Sequence, residues 1–234
     1  MLPSTLPAWG GDIDPPTLIT NTPYTNDAGL GGLLAALDGT TGDQTVDVDI
    51  TGATVTVLDY NRDEDLGQVF RFYVEDANAA FFARLSFDAT GYDIQAGDIV
   101  NFNVTAAQLY FGVPQISAIS ELTVVSSGNP VHVIEGNGQT LDLTGDVNRV
   151  HHLYGELVSA GEGCQDPNYC FDLETVDGET STINTLRINQ EPLQTPLIQG
   201  DCVEIIAPMG IFSEAPQFNV GNYEWHRWYG NVDE

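Results

Sequence analysis

The sequence contains one pattern twice, and this duplication constrains the fold more than any other feature. "GDIVNFNVTAAQLYFGVPQI" begins at Gly97, and "GDCVEIIAPMGIFSEAPQF" begins at Gly200. Three landmarks recur in the same order at offsets of 103, 103 and 102 residues: Arg84 and Arg187, Gly97-Asp98 and Gly200-Asp201, Pro114-Gln115 and Pro216-Gln217. Self-similarity in register predicts two copies of one structural unit.

Each copy contains five predicted β-strands. Short runs of Val, Ile, Phe, Tyr and Thr alternate with polar residues and are separated by Gly, Asp, Asn and Pro. In "GQVFRFYVED", Phe70 and Phe72 share one face of a strand, while Arg71 and Tyr73 share the other. The strands are predicted near 52–61, 67–76, 79–87, 98–106 and 113–124, and near 147–158, 169–176, 181–188, 201–207 and 216–226.

The five-strand pattern resembles the OB-fold barrel, and in particular bacterial exported OB-like domains. The resemblance is carried by "FYVED", "AGDIVNFNV" and "GVPQI" in residues 44–125, and residues 131–230 follow it less closely. It implies an all-β fold with two tandem five-stranded OB-like Greek-key barrels, at 44–125 and 131–234, joined at "SSGNP". The helix often found between strands three and four has no room here, and a two-lobed β-sandwich is the alternative fold.

Residues 1–43 are predicted to form an N-terminal extended arm with one short helix. "GGDIDPPTLITNTPYT" is rich in Pro and Thr, which favours an extended chain. Leu30, Leu33, Leu34 and Leu37 then recur at helical spacing, with Asp27 as the expected N-cap and Gly39 just beyond the helix. The apolar face either plugs the open end of its own barrel or acts as an assembly arm that docks on a neighbouring subunit.

The charge is strongly negative along the whole chain. The sequence has 34 acidic residues and six arginines, without lysine, for a formal net charge of −28. Such a field repels phosphate backbones and anionic membranes, so nucleic acid is predicted to be an unlikely partner. The acidity indicates either adaptation to a salty medium or simply a soluble surface.

The three cysteines indicate one local disulfide. Cys164 and Cys170 flank the turn-rich segment "QDPNY", whereas Cys202 lies in an apolar strand. A disulfide and a lysine-free acidic surface favour an extracellular or cell-surface location, although no leader peptide is recognisable.

Two groups of residues are candidate binding sites. The alternation in "NYEWHRW" places Tyr223, Trp225 and Arg227 on one strand face, and with Tyr73 and Arg71 these could bind a carbohydrate or a protein. The loop "LDYNRDEDLG" offers Asp59, Asn61, Asp63 and Asp65 as ligands for a weak Ca²⁺ site, although Glu64 replaces the glycine of an EF-hand loop. The alternatives are a domain interface and a solvated turn.

Sequence signatures of catalysis are absent. There is no Gly-x-Ser-x-Gly, no phosphate loop and no Cys or His spacing typical of a metal site, and the carboxylates are too numerous to be informative. The sequence therefore predicts an exported, non-enzymatic structural or adhesive protein that acts through protein contacts and self-assembles through its arm into a filament. The alternative is an extracellular ligand-binding module for carbohydrate or, less favoured, for single-stranded nucleic acid.

Overall fold

A computed structural model describes the chain over eleven ranges of residues. They are 4–5, 17–39, 42–58, 62–63, 68–86, 91–137, 141–165, 168–177, 180–189, 196–220 and 227–230. Nearly all of the regular structure is β, as predicted. Among these residues, no helix has the length and apolar character needed to cross a membrane.

The first barrel consists of five strands: β3 (Gln44–Leu58), β6 (Arg71–Glu75), β7 (Ala80–Arg84), β8 (Ile99–Tyr110) and β9 (Val113–Ser126). These strands pair in the order β3-β6-β7-β9-β8 and close into a barrel. A small hairpin, β4 (Arg62–Asp63) with β5 (Gln68–Val69), lies between the first two strands. Fully buried Phe72, Phe81, Ile50 and Ile116 form the core of this barrel.

The second barrel repeats this arrangement. Its five strands are β11 (Val150–Leu157), β13 (Asn168–Asp177), β14 (Thr180–Asn189), β15 (Cys202–Phe212) and β16 (Ala215–Val220), and the pairing of β15 with β11 closes the ring. Among the described residues, five strands extend the sheet beyond the ring: β10 (Val131–Glu135), β12 (Glu162–Gln165), β17 (Arg227–Gly230) and two short strands of the N-terminal arm. Two closed barrels confirm the predicted fold class and exclude the two-lobed sandwich.

The Gly-Asp landmark forms the same turn in both barrels. The Asp98 carboxylate accepts a bond from the Gln95 N–H at 2.9 Å, and the Asp201 carboxylate accepts one from the Ile198 N–H at 2.8 Å. The preceding residues, Gly97 and Gly200, have φ of 85° and 91°, a conformation that glycine adopts without a steric penalty. The recurrence of this geometry explains why the two residues recur in the sequence.

The N-terminal arm is part of both barrels. Its strands are β1 (Ser4–Thr5), which pairs with β17, and β2 (Leu18–Thr20), which pairs in parallel with β10. The Tyr24 ring stacks on His132 at 4.1 Å, and the Tyr24 hydroxyl accepts a bond from the His132 N–H. The arm therefore folds back onto its own chain.

The helix α1 (Leu30–Ala36) plugs the first barrel, one of the two expectations for the arm. Leu30 and Leu33 are completely buried, and Leu34 and Leu37 pack in or against the same core. The predicted N-cap is corrected, because Gly29 occupies that position and Asp27 does not cap the helix. Buried Asp76 of the barrel supplies the acceptor instead, since its Oδ2 atom accepts bonds from the N–H groups of Ala28 and Leu30 at 3.0 Å.

The two barrels are locked together by apolar and polar contacts. Val131 and Val133 of β10 pack with Val57, Tyr73 and Val150 in a third buried cluster, so β10 seals the barrels against each other. A second contact is an ion pair between Arg149 and Glu75, whose side chains are 15% and 5% exposed. These contacts fix which faces of the barrels meet.

Candidate functional site

A cleft of about 940 Å³ lies between the two barrels. One wall consists of β6, β7 and the β8–β9 hairpin of the first barrel, and the other consists of β14 and the β15–β16 hairpin of the second, with Asn168 of β13 at its edge. These are the second and third strands and the loop between strands four and five in each barrel. In OB folds this face and this loop bind oligonucleotides and oligosaccharides.

Half of the arginines in the chain line this cleft. They are Arg71, Arg84 and Arg187. Arg84 is exposed and, among the described residues, makes no hydrogen bond or ion pair. Arg71 and Arg84 are direct cross-strand partners, an arrangement of like charges that destabilises a sheet. In a chain of net charge −28, this concentration of cations indicates an anionic ligand.

Exposed aromatic side chains stand at the rim of the cleft. Phe111 is 72% exposed and Phe212 is 66% exposed, and each lies at or beside the tip of one hairpin. Tyr110 is 43% exposed and contacts Phe111 edge to face at 4.8 Å. Deeper in the cleft, Tyr73 stacks on Phe82 at 4.6 Å. The rim therefore offers flat apolar surfaces on both sides.

Amide side chains line the remainder of the cleft. Gln115 and Gln217 are 8% and 9% exposed, and the Oδ1 atom of Asn219 is buried without a hydrogen-bond partner among the described residues. Asn148 belongs to the second barrel, but its Nδ2 donates to Pro114 O at 2.8 Å and Ala80 O at 3.3 Å in the first. It therefore holds the two walls at a defined separation.

The pKa values of two buried groups near the barrel interface are shifted. Burial raises the pKa of Glu75 to about 8, although Arg149 opposes the shift. Burial lowers the pKa of His151 to about 4. The side chain of His151 lies within the second barrel, where its ring lies 5.5 Å from that of Phe218 and its Nδ1–H donates to Arg149 O at 3.0 Å. Neither of these two groups lines the cleft.

A second polar cluster lies on the opposite face of β11. His152 Nδ1 is 2.9 Å from Glu135 Oε1, and its Nε2 is 2.9 Å from Glu204 Oε1. Both ring nitrogens are therefore occupied by carboxylates. In the described part of the chain, no group of three or more His, Cys, Asp or Glu residues has a geometry that could hold a metal ion.

The structure locates some of the residues selected from the sequence. Arg71 and Tyr73 both line the cleft. Tyr223 and Trp225 lie outside the described residues, and for Arg227 only the strand backbone is described. The proposed Ca²⁺ ligands Asp59, Asn61 and Asp65 also lie outside them, with Asp63 described only as strand backbone. A disulfide joins Cys164 to Cys170, the pair selected from the sequence.

Sequence reasoning missed most of the cleft. Arg84, Arg187, Gln115 and Gln217 were recognised only as landmarks of the repeat, and Phe111 only as one of several available aromatics. The signal that could have found them is the repeat itself. A barrel core does not require charged or amide residues, so their recurrence at equivalent strand positions indicates a functional surface.

Comparisons with known proteins return only distant matches. No protein-family model and no curated protein matches the chain. Among solved structures, the p204 HINb domain matches with 11% identity and a TM-score of 0.35, covering 81% of this chain and 100% of that one. The tetrameric p202 HIN2 matches with 9% identity and a TM-score of 0.37, covering 82% and 95%. The Ifi202 HINa domain, crystallised with 20-bp dsDNA, matches with 15% identity and a TM-score of 0.32, covering 81% and 99%.

The predicted function and partners require correction. The prediction of an adhesive protein that acts through protein contacts and self-assembles into a filament is wrong, as is the prediction that nucleic acid is an unlikely partner. Three of the solved structures that the chain matches are HIN domains, and one of these was crystallised in complex with 20-bp dsDNA. The physical premise also fails, because it took the charge of the chain as a whole, whereas folding brings three arginines into one cleft.

Proposed function

We propose that this protein binds nucleic acid and holds a short single-stranded segment in the cleft between its barrels. The observation that carries the proposal is the concentration of Arg71, Arg84 and Arg187 beside the exposed aromatics at the rim. Single-strand binding combines cations for the backbone with aromatic rings on which bases stack. The cleft volume of about 940 Å³ lies within the range of small-ligand sites and is too small to enclose a duplex.

The proposed role is binding without chemistry. Among the described residues that line the cleft there is no His, Cys, Asp or Lys, and Glu214 is the one carboxylate. A general acid and base pair therefore has no support in these walls. The Cys164–Cys170 disulfide supports an oxidising compartment outside the cytoplasm as the site of action.

The proposal is tested by fluorescence anisotropy with a labelled 12-nucleotide DNA strand. We expect Arg84→Ala to weaken binding about tenfold, because a charge-assisted contact to phosphate is lost. The matched variant Arg84→Lys keeps the charge and is expected to weaken binding less than about threefold. Phe111→Ala is expected to weaken binding at least about fivefold through lost stacking, whereas Ile198→Ala, which also removes an exposed apolar side chain, serves as the control.

Two outcomes would overturn the proposal. The first is equal binding of the strand by the parent and the Arg84→Ala variant. The second is direct binding of a labelled polyuronate without any binding of DNA or RNA strands, which would assign the cleft to an acidic glycan.

The salt dependence of binding should be shallower than the cation count implies. Three phosphate contacts to a single strand give a slope of about −2 in log affinity against log salt. The net charge of −28 opposes this, because salt also screens the repulsion between the protein and the strand. We expect a slope between about −1 and 0 from titrations at 0.1 to 1 M NaCl. A slope of −2 or steeper would mean that the acidic surface has no influence on binding.

A further inference from the structure

The two walls of the cleft are built from equivalent positions of the repeat. Arg84 and Arg187 are 103 residues apart, and Gln115 and Gln217 are 102 apart, as are Tyr110 and Phe212. The hairpin tips also correspond. Phe111 and Gly112 have φ of 49° and 86°, and Ser213 and Glu214 have φ of 50° and 64°. The cleft is thus lined by the same face of each barrel.

Strand register places the arginine and the glutamine side by side on each wall. In the first barrel, Gln115 of β9 pairs with Phe82 of β7, two residues before Arg84. In the second, Gln217 of β16 pairs with Thr185 of β14, two residues before Arg187. Because side chains alternate along a strand, residues two apart share a face. Each barrel therefore presents an arginine, a glutamine and a hairpin aromatic together.

This triplet matches the parts of one nucleotide. A guanidinium forms two parallel hydrogen bonds to a phosphate, an amide both donates to and accepts from a base edge, and an aromatic ring stacks on the base. Resting on the proposed function, we infer that the cleft contains two nucleotide subsites, one on each barrel, which bind two successive nucleotides of a strand.

The two subsites are not equal. Arg71 is paired across the sheet with Arg84, whereas the cross-strand partners of Arg187 are Cys170 of the disulfide and Asn219, neither of which is charged. At the hairpin tip, Gly112 of the first barrel corresponds to acidic Glu214 of the second, and of the two only Glu214 lines the cleft. The subsite on the first barrel is consequently more cationic and binds phosphate more tightly.

The two glutamines also differ in favour of the first barrel, because their amides are engaged to different extents by hydrogen bonds within the protein. Nε2 of Gln217 donates to the Sγ atom of Cys170 at 3.6 Å, so it is partly engaged by its own barrel. The Gln115 amide makes no hydrogen bond to another described residue. The stronger subsite is therefore also the one whose amide can bind a base without first breaking a contact.

A length series of 5′-phosphorylated oligonucleotides tests the inference by isothermal titration calorimetry. We expect affinity to rise at least tenfold from mononucleotide to dinucleotide and less than about threefold for each further nucleotide. Arg84→Ala should weaken mononucleotide and dinucleotide binding about tenfold. Arg187→Ala should weaken dinucleotide binding three- to fivefold and leave mononucleotide binding within twofold of the parent.

The outcomes separate the inference from the proposed function. An even gain with every added nucleotide up to eight, or equal losses in mononucleotide binding for the two variants, overturns the two subsites while nucleic-acid binding stands. Absence of binding at every length, with a folded protein confirmed by circular dichroism, overturns both.

Discussion

Replacing Asp76 with alanine is expected to lower the free energy of unfolding by about 4 kcal/mol, because one buried carboxylate satisfies four backbone N–H groups. Its Oδ2 accepts from Ala28 and Leu30, each at 3.0 Å, and its Oδ1 accepts from Asn78 at 2.7 Å and Ala79 at 2.9 Å. Asp76 is completely buried, so water cannot replace these bonds without opening the structure. The loss is measured by urea unfolding followed by far-UV circular dichroism.

A matched control is available on the surface. Asp142 is exposed, and its carboxylate accepts a hydrogen bond from the Thr144 N–H at 2.8 Å. It therefore makes the same type of carboxylate-to-backbone bond as Asp76, but in a surface turn. Asp142→Ala is expected to leave the unfolding curve close to that of the parent. Asp76→Asn keeps one acceptor oxygen and should fall between the two. If Asp76→Ala had the same urea midpoint of unfolding as the parent, the helix would not depend on this carboxylate.

Replacing Arg149 with methionine is expected to destabilise the protein by about 3–5 kcal/mol at pH 9, and less at pH 6. Arg149 pairs with Glu75, and its guanidinium also donates to Asp76 O at 3.3 Å and Ala77 O at 3.4 Å. Removal of the cation leaves a buried carboxyl without its charge partner. The loss therefore depends on whether Glu75 is ionised.

The direction of the pH dependence follows from the pKa of Glu75. Burial raises this pKa from 4.5 to about 8 in the folded protein, so Glu75 stabilises the fold below its unfolded pKa, and that contribution is lost as the pH rises through 8. Without Arg149 the folded pKa is higher still. The stability curves of parent and variant should run parallel up to about pH 7 and then diverge, with the variant falling further.

A double-mutant cycle isolates the pair. In the Glu75→Gln background, Arg149→Met should cost the same free energy at pH 6 and pH 9, because no carboxyl remains to titrate. Urea unfolding of the four proteins at both pH values provides the eight free energies of unfolding. An equal loss for the single Arg149→Met variant at pH 6 and pH 9 would assign its effect to packing and not to the ion pair.

Local sequence patterns were sufficient to predict the barrel strands and the short helix that plugs the first barrel. The strands near 113–124 and 181–188 were predicted within two residues of their observed ends at Val113–Ser126 and Thr180–Asn189. Alternation and turn residues are local properties, so one sequence reveals them. The helix cap was mispredicted because its acceptor, Asp76, lies more than forty residues away in sequence and is adjacent only after the barrel closes.

The cleft could not be predicted in the same way. Arg71 and Tyr73 were selected because they share a strand face, and this reasoning identified part of one wall. Arg84 and Arg187 were visible as a repeat, but nothing in their spacing indicates that they face each other. The net charge of −28 argued against a nucleic-acid ligand. A net charge sums over the whole chain and does not show that three arginines lie in one cleft.

The sequence alone determined that the chain duplicates a five-stranded barrel, that a Gly-Asp turn recurs in each copy, and that a leucine-rich helix needs an apolar surface. The tertiary structure decided how the barrels dock, through the ion pair of Arg149 with Glu75 and the bonds from Asn148 to the first barrel. Docking joins residues far apart in the chain, and such contacts leave no periodicity in the sequence. For that reason the cleft, and with it the proposed ligand, emerges only from the folded protein.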